Sequence, residues 1–251
     1  MLALSVIVIV KDAAQDIQRC LESIKWADEI IILDSGSQDH TLEICRPYTQ
    51  NIFSTDWPGF GKQKNRALDK AQGKWVLSID ADEALSSGLI EEIKRIISKT
   101  DDRYDAYAIK RISFFCGKKI RYGDWSRDEV VRLFRRLPSI RFTPTIIHEK
   151  LHGYSNVGNL KEVIFHDTMK TISQVLLKLE HYSSFAAQKS YQEHTKSSLL
   201  KAILHAKWCF IRGYFLRLGF LDGREGFILA VSNALGVFYR YVKLVYLYEL
   251  G

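Results

Sequence analysis

Two carboxylates one residue apart, Asp80 and Asp82, directly follow the apolar run Lys74–Ile79. Oxygen donors at i and i+2 suit a divalent cation, Mg2+ or Mn2+, and the phosphates such a cation holds. A solvated turn explains the pair equally well in isolation. Its place at the end of a strand, where open α/β sheets put their ligands, favours a site. A second segment, Asp34-Ser35-Gly36-Ser37-Gln38-Asp39, leaves another apolar run and opens a helix. Glycine permits the tight turn there, while Ser and Asp can cap the helix or bind polar ligand groups. Lys62-Gln63-Lys64-Asn65-Arg66 sets cations at the start of a helix, against the helix dipole. A nearby anionic ligand would resolve that conflict. In Trp125-Ser126-Arg127-Asp128-Glu129, either Asp128 or Glu129 offers a general base. An arginine among Arg132, Arg135 and Arg136 offers a clamp for a diphosphate. His166 follows Val163-Ile164-Phe165, so it can project from a strand end as a further metal or diphosphate ligand. For His166, as for His148, a packed histidine is the plainer reading.

These residues need a scaffold, and the pattern of apolar runs supplies one. Leu4–Val10 and Glu29–Leu33 are short, nearly continuous and rich in β-branched residues, as strands covered on both faces are. Asn51–Phe53 is a weaker third strand and Lys74–Ile79 a fourth. Helical spacing separates them: Ile17, Leu21 and Ile24; then Thr41–Arg46; then Gly61–Ala71. Leu89–Ile97 continues the alternation and Tyr104–Phe115 reads as a strand. Strand–helix–strand repetition predicts an α/β fold with a mostly parallel sheet. From Phe114 to Phe165 the pattern becomes mixed β, with a hairpin turn at Cys116-Gly117-Lys118-Lys119. No GxGxxG follows the first strand and no GxxxxGK[ST] occurs, so dinucleotide and P-loop chemistry lack their sequence support.

The length of 251 residues, with 47% hydrophobic and 26% charged, fits a globular chain and excludes a disordered one. The four cysteines, Cys20, Cys45, Cys116 and Cys209, are too scattered for a zinc site or disulfide framework. That points to a reducing compartment. The first ten residues lack a basic leader and a small-residue cleavage site and read as a buried strand.

From Thr171 onward the signal is helical. Leu200, Leu204, Trp208, Ile211, Phe215 and Leu218 form one apolar stripe; Ile228, Val231, Leu235, Phe238, Val242 and Val245 form a second. Five basic residues and no acidic one fall between Lys196 and Arg217. A basic face opposite an aromatic–aliphatic face predicts an interfacial helix on an anionic membrane surface. The uncharged run Phe227–Tyr239 has 13 residues, short of the ~20 of a membrane span. We therefore expect a surface association rather than a crossing, with core packing of both stripes as the other outcome.

Taken in order, these motifs resemble the inverting family-2 glycosyltransferases, in the branch of the lipopolysaccharide inner-core β-1,4-glucosyltransferases. The resemblance rests on Leu4–Asp12, Cys20–Ile24, Trp26–Ile30, Asp34–Ser37, Gly59–Leu68, Asp80–Glu83, Arg132–Arg136, His148-Glu149 and Gly219–Gly223. It implies a GT-A, Rossmann-like catalytic domain over residues 1–170 and a helical, membrane-associating extension over residues 171–251. Asp34, with Ser35 and Gly36, would face the uracil, with Lys11 and Asp12 in the neighbouring loop. Lys62 and Asn65 would lie near the nucleotide. Asp80 and Asp82 would hold ribose and metal–diphosphate, with Arg132 and Arg135 beside them. Asp128 aligns best with the base. A UDP-hexose donor, a lipid-linked glycan acceptor such as lipopolysaccharide core, and a cytoplasmic location at the inner face of the membrane are implied too. Two other classes remain distinct: a nucleotide-sugar-binding module without turnover, and a basic nucleic-acid binder. The second has no recognised motif to support it, so no nucleic-acid partner is expected.

Overall fold

The computed structural model describes residues 2–99, 103–144 and 149–250. In chain order the elements are β1 (Leu4–Val10), α1 (Ile17–Ile24), β2 (Glu29–Asp34), α2 (Thr41–Cys45) and β3 (Ile52–Ser54). Next come α3 (Phe60–Lys70), β4 (Trp75–Asp80), β5 (Glu83–Leu85), α4 (Ser87–Ile97) and β6 (Ala106–Phe115). Then follow β7 (Lys118–Lys119), β8 (Glu129–Arg135), β9 (Arg141–Phe142), β10 (Leu151–His152) and β11 (Val157–Met169). Three helices end the chain: α5 (Ile172–Gln192), α6 (Leu199–Ile211) and α7 (Gly223–Leu250). The chain forms two compact units. One comprises Met1–Arg111 with Asp128–His166, and the other Ile112–Arg127 with Asp167–Gly251.

The first unit is built on a sheet of order β3-β2-β1-β4-β8-β6-β11-β5. β3, β2, β1 and β4 run parallel. Every residue of β1 and β2 is buried, which is why both read as unbroken apolar runs. β8 then pairs antiparallel with β4 and β6, and β5 antiparallel with β11, so the sheet is mixed. The parallel half is the one the alternating pattern predicts; the antiparallel half comes from the mixed β segment. One face packs Ile17, Leu21, Ile24, Leu89 and Ile93 of α1 and α4; the other packs Ala67, Leu68, Phe134 and Phe142.

Two registers place the chemistry. Val10 pairs with Asp34, and Ile9 with Asp80. From β1 the chain moves outward to β2 and β3, and α3 brings it back to β4 on the other side. The crevice at the carboxyl ends of β1 and β4 is therefore a topological switch point, the usual ligand position of open α/β sheets.

In the second unit, β6 turns into β7 through Cys116 and Gly117, both at positive φ, as the hairpin signal predicts. Thr171 caps α5 and Ser198 caps α6. The single long stripe expected through Leu218 does not form. α6 ends at Ile211, a π turn covers Arg212–Leu216, and Leu218 adopts a left-handed conformation. Gly219–Glu249 is long and apolar enough to cross a membrane by length and composition, with 17% of its most apolar window buried.

Candidate active site

At the end of β4 a chain of ion pairs runs inward from solvent. Asp80 Oδ1 lies 2.9 Å from Lys64 Nζ, and its Oδ2 pairs with the Arg132 guanidinium. Arg132 also reaches Glu83 Oε1 at 2.7 Å, and Arg111 meets that same oxygen at 3.0 Å. The second Glu83 oxygen accepts the Asp80 backbone N–H at 2.9 Å. Arg111 then grips Asp128, with Nη2 and Nε at 2.7 and 2.9 Å from Oδ2. Lys64 closes the other end on Glu149 at 2.6 Å. Glu83 is fully buried, and Lys64 and Arg132 nearly so, whereas Asp80 and Asp128 keep 30% of their side chains exposed. Charges this deep persist only when paired, and here each has a partner. Burial would raise the Asp80 carboxyl, but Arg132 and Lys64 outweigh it and hold it well below the usual carboxylate range. Burial would lower the Arg132 guanidinium; Asp80 and Glu83 push it up instead.

Beside this chain, His166 Nε2 sits 3.3 Å from Asp82 Oδ2. His166 is placed by its pairing with Glu83 across β11 and β5. Its buried Nδ1 has no hydrogen-bond partner. Among the described residues no group of three or more His, Cys, Asp or Glu is arranged to hold a metal. Asp82 and His166 thus bring one carboxylate and one imidazole together beside the chain.

The loops after β1 and β2 form the other wall. Asp34 is 2% exposed, and its carboxylate accepts from Gly36 N at 3.0 Å and from Ser37 N and Oγ at 3.1 and 2.6 Å. Gly36 has φ of +83° with open space where a Cβ would stand, so conformation rather than crowding calls for glycine. Asp12, also at positive φ, accepts from Gln38 N at 2.8 Å and ties the two loops together, while Lys11 is exposed. Gln63 joins Ser35 Oγ at 2.9 Å to Thr55 Oγ1 at 2.8 Å.

Residues 5–157 match the model of glycosyl transferase family 2, well over half the chain. The chain belongs to glycosyltransferase family 2. It is 28% identical to an uncharacterized glycosyltransferase of Rickettsia prowazekii, a match covering 96% of this chain and 86% of that one. It is 26% identical to the lipopolysaccharide core biosynthesis glycosyltransferase LpsC of Rhizobium meliloti, over 97% and 92% of the two chains. Among solved structures, S. aureus TarS 1-349 in complex with UDP-GlcNAc is similar at 16% identity, over 99% of this chain and 92% of that one, with a TM-score of 0.48.

In this glycosyltransferase, Asp80, Asp82, Arg132, His166 and Asp128 are joined in or against one ion-pair chain. Asp34, Ser35, Gly36, Lys11 and Asp12 line the adjoining strand ends. Three expected residues are not part of the ion-pair chain. Lys62 faces solvent, whereas Gly61, Gln63, Lys64, Ala67 and Leu68 of α3 are buried. The Asn65 side chain bonds both backbone groups of Phe142, at 2.8 and 2.9 Å, and so fastens β9. Arg135 pairs with Trp75, at the opposite end of β4 from Asp80, ~16 Å away by strand rise. There it stacks on the Trp75 ring at 4.7 Å and donates to Tyr104 O. Glu129 is exposed on β8. His148 lies outside the described residues. Lys64, Glu83 and Glu149 lie within the motifs but were given no role there, and Arg111 lies in none of them. For Lys64 a signal existed, since it recurs with Gly61, Ala67 and Leu68 at helical spacing.

Proposed function

We propose that this glycosyltransferase moves a hexose, glucose by resemblance, from a UDP-sugar to a lipid-linked glycan of the lipopolysaccharide-core type, with inversion, at the cytoplasmic face of the membrane. The observation that carries the reading is the unbroken chain of ion pairs from Asp128 through Arg111, Glu83 and Arg132 to Asp80. It fixes one half-exposed carboxylate relative to the strand end where a diphosphate would bind.

The acceptor hydroxyl attacks the anomeric carbon as the bond to the diphosphate oxygen breaks. Asp128 takes the hydroxyl proton, a role worth ~10²–10⁴-fold. UDP leaves with the bonding electron pair, and attack opposite the leaving group inverts the anomeric centre. Arg111 holds Asp128 by two donors from one guanidinium, which restricts the carboxylate to one orientation. The Asp34–Ser37 loop, braced by Asp12, shapes the wall for the uridine. Asp82 would supply a hard oxygen donor to a divalent cation, Mg2+ or Mn2+, with His166, 3.3 Å from it, as a second donor that suits Mn2+ better than Mg2+. When bound, the cation supplies positive charge against the leaving diphosphate. The kinship with LpsC, named for lipopolysaccharide core biosynthesis, supports the acceptor class.

The test is UDP release from a panel of UDP-sugars with intact or delipidated core glycolipid, with Mn2+ or Mg2+, for wild type, Asp128→Asn and Glu129→Gln. Asp128→Asn should lose two to four decades of kcat with donor Kd nearly unchanged. Wild type that binds UDP-sugar yet releases no UDP with any acceptor would leave a binding module. Loss confined to Glu129→Gln would move the base to Glu129.

A further inference from the structure

The second unit carries an elbow between α6 and α7 whose side chains are arranged for a fluid apolar medium. The inside of the elbow is backbone. A Cβ at Gly226 would stand 2.0 Å from the Gly219 carbonyl oxygen, and one at Gly219 would stand 2.7 Å from that of Gly213. With the interior filled by main chain, the larger side chains turn outward. Phe215, Leu216, Leu218, Phe220 and Leu221 are each 43–62% exposed. Leu218 has φ of +57°, a region that Gly or Asn would occupy at lower cost. An apolar side chain is kept there against a backbone penalty.

The charges of the elbow are mostly neutralised. Arg212 reaches Asp124 at 3.0 and 3.2 Å, and Arg217 pairs with the same carboxylate. Two guanidinium groups on one carboxylate leave a single net positive charge. On α6 Lys201 and Lys207, and Lys196 just before its cap, make no ion pair among the described residues, and no acidic residue occurs from Lys196 to Arg217. Between α6 and α7 runs an open apolar groove of about 450 Å³ whose one charged lining residue is Lys207. The outward residues at 215–221 span a π turn, a left-handed residue and a 3-10 turn, so they do not form one regular helical face. An irregular apolar surface of this kind suits a fluid apolar medium better than a rigid protein face.

We propose that this elbow inserts into the interfacial layer of an anionic lipid bilayer, with Lys201 and Lys207 against the headgroups. The elbow, rather than a continuous α6 stripe, is the depth-setting element. Its biological use rests on the lipid-linked acceptor reading, but lipid binding is measured without donor or acceptor, so the two fail separately.

The experiment is flotation of the full chain with vesicles of phosphatidylcholine alone or mixed with phosphatidylglycerol, at low and high salt. The variants are Leu216→Gln/Leu218→Asn/Leu221→Gln at the elbow and Lys201→Gln/Lys207→Gln on α6. Arg212 and Arg217 are left intact, because removing either unpairs Asp124. Wild type should float with the anionic vesicles and less so at high salt. The elbow variant should lose about tenfold or more of its partitioning while keeping its Tm and UDP affinity. The lysine variant should lose the preference for anionic lipid. Wild type that stays in solution, or an elbow variant that floats equally, overturns the proposal. A wild-type dimer without lipid that the elbow variant abolishes, with no vesicle binding, overturns it in favour of a second copy.

Discussion

Glu83 makes the sharpest test of the ion-pair chain, because both arginines converge on one of its oxygens and the Asp80 backbone on the other. Glu83→Ala removes three hydrogen bonds at a fully buried position. Deleting one partner of a buried ion pair costs about 3–5 kcal/mol. Here Arg132 retains Asp80 and Arg111 retains Asp128, which sets the expected loss near the lower end, ~3 kcal/mol. In a unit of this size each kcal/mol lowers Tm by ~2–4 °C, giving a fall of ~6–12 °C. Glu83→Gln keeps the shape but sets an NH2 against either the arginines or the Asp80 N–H. One donor then faces another, at ~1–3 kcal/mol. Thermal melting should therefore rank wild type above Gln above Ala. Glu43→Ala, which breaks only the exposed pair with His40, should shift stability by less than ~0.5 kcal/mol. In the UDP-release assay both Glu83 variants should lose kcat by ~10–100-fold, because Arg111 no longer has a fixed anchor from which to hold Asp128. Glu83→Ala that melts within about one degree of wild type, with full kcat, would refute the chain as a positioning device.

Three further outcomes follow from particular contacts. Because Arg132 and Lys64 depress the Asp80 carboxyl below its unfolded value of ~3.9, its contribution is present above that pH and is lost as pH falls toward the folded value. The Tm difference between wild type and Asp80→Asn should thus stay constant from pH 8 to ~5 and narrow below ~4. Burial pushes the Cys45 thiol up to about 11 and raises Cys20 well above the ordinary range, so neither should react with iodoacetamide at pH 8 in the native protein, as peptide mass mapping would read. Gly226→Ala, ordinarily worth up to ~1 kcal/mol of stabilisation inside a helix, should lower Tm, because the new methyl would collide with the Gly219 carbonyl; a rise in Tm would refute the close backbone packing of the elbow.

What was legible in the sequence divides along burial. β1, β2 and β4 are covered on both faces, so their apolar runs announced both the strands and the acidic residues at their ends. Asp80, Asp82 and Asp34 were readable for that reason, whereas Asp128, just before β8, was read from its motif and the family resemblance. Of their partners Arg132 and His166 were named too, but the burial of Glu83 and Lys64 and the pairing of Arg111 were not readable, because a buried charge in a polar-looking stretch has the same letters as a solvated one. Glu83 reads as the last residue of an acidic turn, yet β5 is only three residues long and its pairing with β11 draws the carboxylate inside. Lys62 and Lys64 are two residues apart, and only the phase of α3 decides that Lys64 goes in and Lys62 out. Arg132 and Arg135 likewise share strand β8, but Arg132 meets Asp80 at the end of β4 and Arg135 pairs with Trp75 at its start. The sequence pattern suggests one cut near residue 170, whereas Ile112–Arg127 groups with the C-terminal helices. Within that unit, Asp124 pairs with Arg212 and Arg217, contacts of 88 and 93 residues' separation that no local pattern carries. The residues that bear charge changes are thus visible from strand ends, and the ones that hold them still emerge only from the fold.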